Sequence, residues 1–341
     1  MEKKGYWLLC SVVLALLATA CTTELEKVND WQAYKQSFLS QDGSIVDAVN
    51  GNIRHSEGQG MGMLLATAND DRESFDRIWL WTKQHLQVRK HDALLAWRWQ
   101  PDVEPHVSDY NNATDGDILV AWGLLRAYKR WGEESYLHAA KALLKDIRQH
   151  LIVYYQGRLL LLPGHQGFEK PEGYIINLSY WVFPALAEFQ RFEDKEMLWP
   201  SLIQSGLELI DESLFGVWKL PPDWLMVGKK LYPAPQFPQR FGLDAVRIPL
   251  YLYWAGYSNH QGVQSATHFW QQFTGHGAWP EWVSLEDSLI HMADQIPGLQ
   301  AIAKHLMQEK DFEVNIDWKK PEYYQTSLVL ISQLAEKEKV Q

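Results

Sequence analysis

The strongest helical periodicity of apolar residues lies between residues 114 and 131. Thr114 or Asp115 is suited to cap the N-terminus of this predicted helix, and Gly132 directly after it is a typical helix stop. Asp115 and Asp117 therefore fall at the helix start, where acids often serve only as caps that the helix dipole favours. The apolar stripe consists of Ile118, Ala121, Leu125 and Tyr128, widened by Trp122 and Leu124.

A second apolar run follows the polar residues 55–60. Ser56 stands three residues before Gln59, which is the spacing of a capping box, so a helix is predicted to begin here with Glu57 in its first turn. Glycines at positions 58, 60 and 62 lower helix stability. They are tolerable where another group must approach the backbone closely.

The remaining pattern predicts an all-α protein built from helical hairpins, with few short strands. Residues 158–162 are the best strand candidate, and residues 95–99 alternate like an extended segment that points Trp97 and Trp99 the same way. Further helices are predicted at 31–38, 74–86, 135–154, 179–192, 198–214, 250–256, 262–273, 284–306 and 321–336.

Two prolines mark further helix starts. Pro184 and Pro249 each stand five residues after a capping residue, Ser179 and Asp244 respectively. Proline lacks an N–H and is tolerated near a helix N-terminus, where the first donors are unpaired anyway. Asp244 is therefore predicted close to a helix start. The preceding loop, residues 220–240, carries five of the 15 prolines and several aromatic residues, so it is expected to line a cleft.

Three acids, Glu57, Asp115 and Asp244, are thus predicted at three separate helix N-termini. In a ring of antiparallel hairpins every second helix presents its N-terminus on the same face, so the three can converge on one cleft. Glycoside hydrolysis requires two carboxyl groups across the scissile bond and no metal. The 12 histidines show no metal-ligand spacing, and no cofactor-binding motif is present.

Composition narrows the range of substrates. A net charge of −10 and a pI near 5.6 argue against a nucleic-acid partner, which would require a basic face. The 17 Trp residues, beside 15 Tyr and 12 Phe, exceed what core packing obviously requires, and sugar rings stack on such side chains. Trp97 and Trp99 are either a platform for sugars or part of the core.

Residues 1–20 resemble an export signal, with Lys3 and Lys4, an apolar run over 7–17 and an A-x-A site at 18–20. We expect a periplasmic protein whose single domain spans 21–341. Cys21 directly after the site also resembles a lipid-acceptor cysteine, so soluble and lipid-anchored forms both remain open. The only cysteines are Cys10 and Cys21, which excludes a cysteine nucleophile in the folded body.

Two of these segments resemble glycoside hydrolase family 8. Residues 113–117, continuing through Ala121 to Trp131, resemble the family signature, and residues 55–65 resemble its acid-bearing segment. Residues 31–38, 75–79, 95–99 and 240–250 are further similar to the endoglucanases of this family that are encoded with bacterial cellulose synthases. Val120, Gly123 and Leu243 depart from the usual choices without affecting any acid.

The resemblance implies an (α/α)6 barrel and an inverting endoglucanase acting on β-1,4-glucan. It implies that Glu57 is the general acid, that Asp244 is the general base, and that Asp115 holds and distorts the sugar. Asn112, Asp117, Tyr180 and Arg247 are implied as substrate-binding residues, and Arg247 could keep Asp244 ionised. A cellulose synthase complex is the implied partner.

One conflict accompanies these roles. A helix N-terminus favours an ionised Glu57, whereas a general acid has to carry a proton, so burial and a neighbouring acid must outweigh the dipole. Two alternatives remain at this point: hydrolysis of another neutral β-glycan such as xylan, and a non-catalytic glycan-binding lipoprotein in which the acids are only caps and ligands.

Overall fold

The computed structural model describes residues 29–193, 197–294, 296–309 and 314–339. The predicted export signal and Cys21 lie outside these residues. Within them the chain forms eleven α-helices: α1 (Asp30–Phe38), α2 (Ser56–Ala68), α3 (Arg72–His85), α4 (Thr114–Trp131), α5 (Glu134–His150), α6 (Phe183–Phe192), α7 (Leu198–Glu212), α8 (Arg247–Trp254), α9 (Gln261–Gln271), α10 (Pro297–Leu306) and α11 (Tyr323–Glu338).

The strands in the described part of the chain are short and lie in the connections between helices. They are β1 (Arg54–His55), β2 (Arg98–Trp99), β3 (Ile152–Tyr155), β4 (Arg158–Leu161), β5 (Glu169–Lys170), β6 (Gly173–Ile176), β7 (Leu225–Val227), β8 (Leu231–Pro233), β9 (Arg240–Phe241), β10 (Trp279–Ser284) and β11 (Ile290–Ala293). They pair antiparallel as β1-β2, β3-β4, β5-β6-β7-β8 and β11-β10-β9.

The helices form the predicted (α/α)6 barrel. The N-termini of six helices meet around one cavity, so these helices run in the same direction and form the inner ring of the barrel. They are α2, α4, α6, α8, α10 and α11. Helices α3, α5, α7 and α9 alternate with them in sequence and run back on the outside. All eight residues of α8 are buried, because it faces the core on every side. None of the helices within the described ranges is long and apolar enough to cross a lipid bilayer.

The helix predicted over 114–131 is confirmed, but its cap is different. Ala113 holds the N-cap position, and the Thr114 hydroxyl instead donates to the carbonyl of Leu162 at 2.6 Å. Neither Thr114 nor Asp115 is therefore the cap. Gly132 ends the helix in the left-handed region, at φ 69°.

The start of α2 is also displaced by one residue from the predicted cap. His55 is the N-cap, and its ring Nδ1 accepts from the N–H of Gly58 at 3.1 Å. Ser56 is already helical and packs against α4, where a Cβ on Gly116 would lie 2.0 Å from the Ser56 Oγ. The glycine is what allows the two N-termini to touch.

Two predicted helices are wrong in part, because apolar periodicity alone does not separate a short helix from a hairpin. Residues 152–155 continue from α5 as β3, and Gln156 and Gly157, both at positive φ, form the turn into β4. Residues 284–293 belong to the β10-β11 hairpin, so the predicted helix over 284–306 begins only at Pro297.

Candidate active site

The six inner helix N-termini surround a cavity of about 510 Å³, a volume in the range of small-ligand sites. Each helix contributes a side chain to the wall. These contributions come from Glu57 of α2, Asp115 of α4, Tyr180 ahead of α6, Leu243 ahead of α8, Ile296 ahead of α10 and Tyr324 of α11. The predicted convergence of helix starts on one cleft is confirmed.

Arg247, the first residue of α8, connects the three predicted acids. Its Nη1 hydrogen-bonds to Glu57 Oε1 and lies 3.8 Å from Asp115 Oδ2, while its Nη2 donates to Asp244 Oδ1 at 2.8 Å. Nη2 also donates to the Ser179 hydroxyl at 3.0 Å. Arg247 is only 3% exposed, so one buried cation faces three carboxyl groups.

Glu57 is positioned by the pairing that precedes α2. Strand β1 pairs with β2, and the N–H of Ser56 donates to the carbonyl of Trp97 at 3.0 Å, which fixes the helix start beside the Trp97 side chain. The Gln59 amide then ties α2 to Ile45, accepting from its N–H at 2.8 Å and donating to its carbonyl at 2.9 Å. Glu57 thus projects from a helix turn that is held on two sides.

Asp115 lies deeper, with 7% of its side chain exposed. Its Oδ1 accepts from the N–H of Gly116 at 2.8 Å. Burial, followed by repulsion from the Glu57 carboxylate, raises the pKa of Asp115 to about 7, while Arg247 opposes the rise. Near neutral pH the Asp115 carboxyl group is therefore poised between its protonated and ionised forms.

Asp244 sits in the turn before α8, with 32% of its side chain exposed. Burial is the main reason that the pKa of Asp244 is raised to about 6; Arg247 lowers it, and Asp223 and Glu57 raise it. Arg247 thus favours the ionised form of Asp244, but burial outweighs its effect.

The structure places Asn112 and Asp117, both predicted as substrate-binding residues, behind the cavity wall. Asp117 is fully buried; it accepts from the N–H of Leu95 at 2.8 Å and from Asn112 Nδ2 at 2.7 Å. The side-chain oxygen Oδ1 of Asn112 in turn accepts from the N–H of His165 at 2.7 Å. Both side chains brace the wall behind the cavity, because their polar atoms are used by the protein itself. Burial raises the pKa of Asp117 to about 8.

Trp97 and Trp99 are separated by the structure. Trp97 lines the cavity, with its indole Nε1 donating to Asp109 at 2.9 Å. Trp99 packs away from the cavity against Trp81, and the Arg54 guanidinium lies 4.7 Å from its ring centroid. The extended segment is shorter than predicted, since β2 covers only Arg98 and Trp99. Of the two indoles only Trp97 lines the cavity, and the Arg98 guanidinium lies 4.3 Å from its ring centroid.

Sequence reasoning missed several cavity residues. His55 lines the cavity and caps α2, with Nδ1 3.8 Å from Glu57 Oε2. Tyr324 hydrogen-bonds to the carbonyl of Leu243, next to Asp244. Tyr324 lies at the start of a helix predicted from the sequence, but strict alternation of helix directions would place that helix on the outside, because α11 directly follows the inner α10. Asp47, Glu281 and Glu322 also line the cavity but show no recognisable motif.

Comparison with known proteins gives consistent matches over nearly the whole chain. A family model described as "Glycosyl hydrolases family 8" matches residues 3–338. A probable endoglucanase of Novacetimonas hansenii is 36% identical over 312 residues, which cover 90% of each chain.

Solved structures agree with these sequence matches. The endoglucanase Cel10 of Klebsiella pneumoniae is 35% identical with a TM-score of 0.86, covering 91% of this chain and 99% of that one. The endo-β-1,4-glucanase CMCax of Acetobacter xylinum is 36% identical with a TM-score of 0.85, covering 91% and 97%. The family model spans the elements that carry Glu57, Asp115 and Asp244.

Proposed function

The chain belongs to glycosyl hydrolase family 8, and from this premise we propose that it is an endo-1,4-β-glucanase that cleaves β-1,4-glucan internally with inversion. The observation that carries the proposal is the meeting of Glu57, Asp115 and Asp244 around Arg247. Three acids from separate helix N-termini are more than capping requires, and an inverting hydrolase needs an acid and a base on opposite sides of the sugar.

Glu57 acts as the general acid. It donates its proton to the glycosidic oxygen as the bond from that oxygen to the anomeric carbon breaks. Its contact with Arg247 has to weaken when glucan fills the cavity, because the carboxyl group must carry a proton and turn toward the leaving oxygen.

Asp244 acts as the general base. It removes a proton from a water molecule whose oxygen bonds to the anomeric carbon from the opposite face, so the product has the α configuration. The exposed third of the Asp244 side chain gives that water access. Arg247 holds the base in place, and a pKa of about 6 keeps it ionised at neutral pH while it remains basic enough to accept the proton.

Asp115 and the cavity wall hold the sugar. Asp115 is the most buried of the three acids and lies 3.8 Å from Arg247, which also contacts the acid and the base. It binds and distorts the sugar at the cleavage point. Tyr180 and Trp97 line the same cavity and present aromatic surface to the glucan substrate.

The substrate assignment is tested by measuring reducing-sugar release from soluble cellulose, xylan and chitosan. We expect release from cellulose above all, with early products that proton NMR shows to be α-anomers. Preferential release of reducing sugar from xylan would make xylan the substrate in place of β-1,4-glucan. Release of reducing sugar from none of the three would favour a glycan-binding protein. Initial β-anomers would require Asp244 to be a nucleophile.

We propose further that the protein is exported to the periplasm and cut near Cys21. The support is the positive start, the apolar run and the A-x-A site that adjoins Cys21. Intact-mass measurement of the exported protein should show loss of residues 1–20, and retention of these residues would contradict the proposal. An added diacylglycerol mass on Cys21 would identify a lipid-anchored form.

We also propose a role beside a cellulose synthase complex, on the basis of the resemblance of residues 31–38, 75–79, 95–99 and 240–250 to endoglucanases encoded with such synthases. In that role the enzyme cuts nascent glucan during synthesis. Deleting the gene in the producing cell should change cellulose yield or order, and restoring an inactive Asp244→Asn protein should not reverse the change.

A further inference from the structure

Asp223 is a buried acid outside the cavity wall that gathers three donors from the segment around Asp244. Its Oδ1 accepts from the N–H of Gly242 and from the N–H of Ala245, both at 2.9 Å. Its Oδ2 accepts from Arg240 Nε at 3.1 Å. The side chain is 4% exposed, and a carboxylate accepting several backbone N–H groups fixes those groups strongly.

The two N–H groups lie on either side of Asp244 in the chain. We infer that Asp223 is a positioning residue for the catalytic base: by binding the backbone at Gly242 and Ala245, it sets the place of the Asp244 carboxylate relative to the sugar. This inference rests on the proposed role of Asp244 as the base. Asp223 does not line the cavity, so its hydrogen bonds hold the base through the segment 242–245.

The hydrogen bonds from Gly242, Ala245 and Arg240 to Asp223 form a clamp on this segment. Two further features support its positioning role. A Cβ on Gly242 would lie 2.9 Å from both Asp223 Oδ2 and Arg240 Nε, so only glycine allows the close approach. Arg240 is itself held, since its guanidinium lies 5.6 Å from the ring centroid of Trp282 on β10. The segment is therefore braced from Asp223 back to the β9-β10 sheet.

The negative charge of Asp223 also affects the pKa of the base, Asp244. The charged and titratable groups that act on Asp244 come from several elements: Arg247 on α8, Glu57 on α2, Asp115 on α4, Tyr180 ahead of α6, Tyr324 on α11, and Asp223 with Arg240 in the loop and β9. Among them Asp223 raises the pKa of Asp244. Removing its charge should therefore lower that pKa.

Asp223→Ala removes the clamp, and Asp223→Asn keeps one oxygen that can still accept from both backbone N–H groups. We expect Asp223→Ala to lose about a hundredfold in kcat on soluble cellulose, the scale of a misplaced catalytic group, with unchanged binding of a cello-oligosaccharide by calorimetry. Asp223→Asn should recover most of that loss. Asp146→Asn is the matched control, since Asp146 is a buried acid that accepts from the N–H of Ala93 at 2.7 Å away from the cavity; it should leave kcat unchanged.

The pH profile separates a positioning role from a general loss of stability. Because the base must be ionised and Asp223→Asn removes a neighbouring negative charge, the acid limb of kcat/KM should move to lower pH in this variant. The limb should not move in Asp146→Asn. If Asp223→Ala does not fold, the shift in Asp223→Asn still decides the question.

Wild-type kcat in Asp223→Ala, or an unmoved acid limb in Asp223→Asn, would overturn the inference. A parallel Asp244→Asn variant distinguishes this failure from failure of the proposed function. An inactive Asp244→Asn beside a fully active Asp223→Ala removes only the positioning role. An active Asp244→Asn removes the base assignment and with it the basis of the inference.

Discussion

Arg247 Nη2 donates a 2.8 Å hydrogen bond to Asp244 Oδ1, three residues earlier in the chain. The other terminal nitrogen of the same guanidinium contacts Glu57, so the proposed base and acid are held by one buried cation. Their positions and charges are therefore coupled. The activity of a variant at either acid should be measured as a function of pH and alongside its substrate binding.

Asp244→Asn should abolish water activation while leaving the glucan cleft intact. We expect kcat on soluble cellulose to fall by about 10²–10⁴-fold with little change in the Kd of a cello-oligosaccharide. Steady-state kinetics and calorimetry measure the two quantities. Loss of binding in proportion to activity would show that the carboxylate holds substrate rather than activating water.

Glu57→Gln and Asp115→Asn should differ in their dependence on the leaving group. Glu57→Gln should be severely impaired on cellulose but much less on an activated aryl cellobioside, whose leaving group needs little protonation. Asp115→Asn should impair both substrates, because sugar distortion is needed for either. The comparison requires kcat/KM for both variants on both substrates. Full activity of Glu57→Gln on cellulose would remove it as the acid.

The pH dependence should reflect the raised pKa of Asp244. A base with a pKa of about 6 loses its negative charge as the pH falls through that value, so kcat/KM should decline on the acid side from about pH 6. The measurement is kcat/KM on soluble cellulose between about pH 4 and 8. An acid limb near pH 4, the usual range for aspartate, would contradict the effect of burial.

Asp117→Asn should affect stability rather than substrate binding. The amide cannot accept from both Leu95 N–H and Asn112 Nδ2 in the present arrangement, and an unsatisfied buried donor costs about 1–3 kcal/mol. We expect a lower Tm and a KM that remains near wild type. A raised KM with unchanged Tm would restore the predicted substrate contact.

The size of this effect should also depend on pH. Because the pKa of Asp117 is raised to about 8 in the folded state, folded protein retains a proton that unfolded protein releases above about pH 4. The wild-type free energy of unfolding therefore falls as the pH rises from about 4 to 8, and the variant lacks this term. The difference in Tm should consequently be larger at about pH 5 than at about pH 8.

Gly116→Ala should separate the starts of α2 and α4. The added Cβ would lie 2.0 Å from Ser56 Oγ and 2.8 Å from the Glu57 nitrogen, so one helix start must move. We expect the free energy of unfolding to fall by about 1–3 kcal/mol. We also expect kcat to fall further than the lost fraction of folded protein accounts for, because Glu57 shifts relative to Asp115. Gly277→Ala, where a Cβ meets nothing within 4 Å, is the control. Wild-type kcat in Gly116→Ala would show that the close approach is not required.

The helical class, the helix starts near Glu57, Asp115 and Asp244, and the family resemblance could all be predicted from the amino-acid sequence alone. These follow from local physics: apolar spacing, glycine stops and the position of proline at helix starts act over a few residues. The same local rules explain the errors. Residues 152–155 and 284–293 are apolar enough for a helix, and their hairpin partners decide otherwise.

Which polar residues face the sugar, and which support those that do, depends on contacts that form only when the chain folds. Asp117 and Asp223 have the same side-chain chemistry as the cavity acids, but their oxygens accept from backbone N–H groups distant in sequence, Leu95 for Asp117 and Ala245 for Asp223. The Asn112 amide likewise bonds to Asp117 and to the N–H of His165. Burial likewise sets the pKa values of Asp115 and Asp244, because the cost of removing a charge from water depends on neighbours that the chain brings together only when it folds.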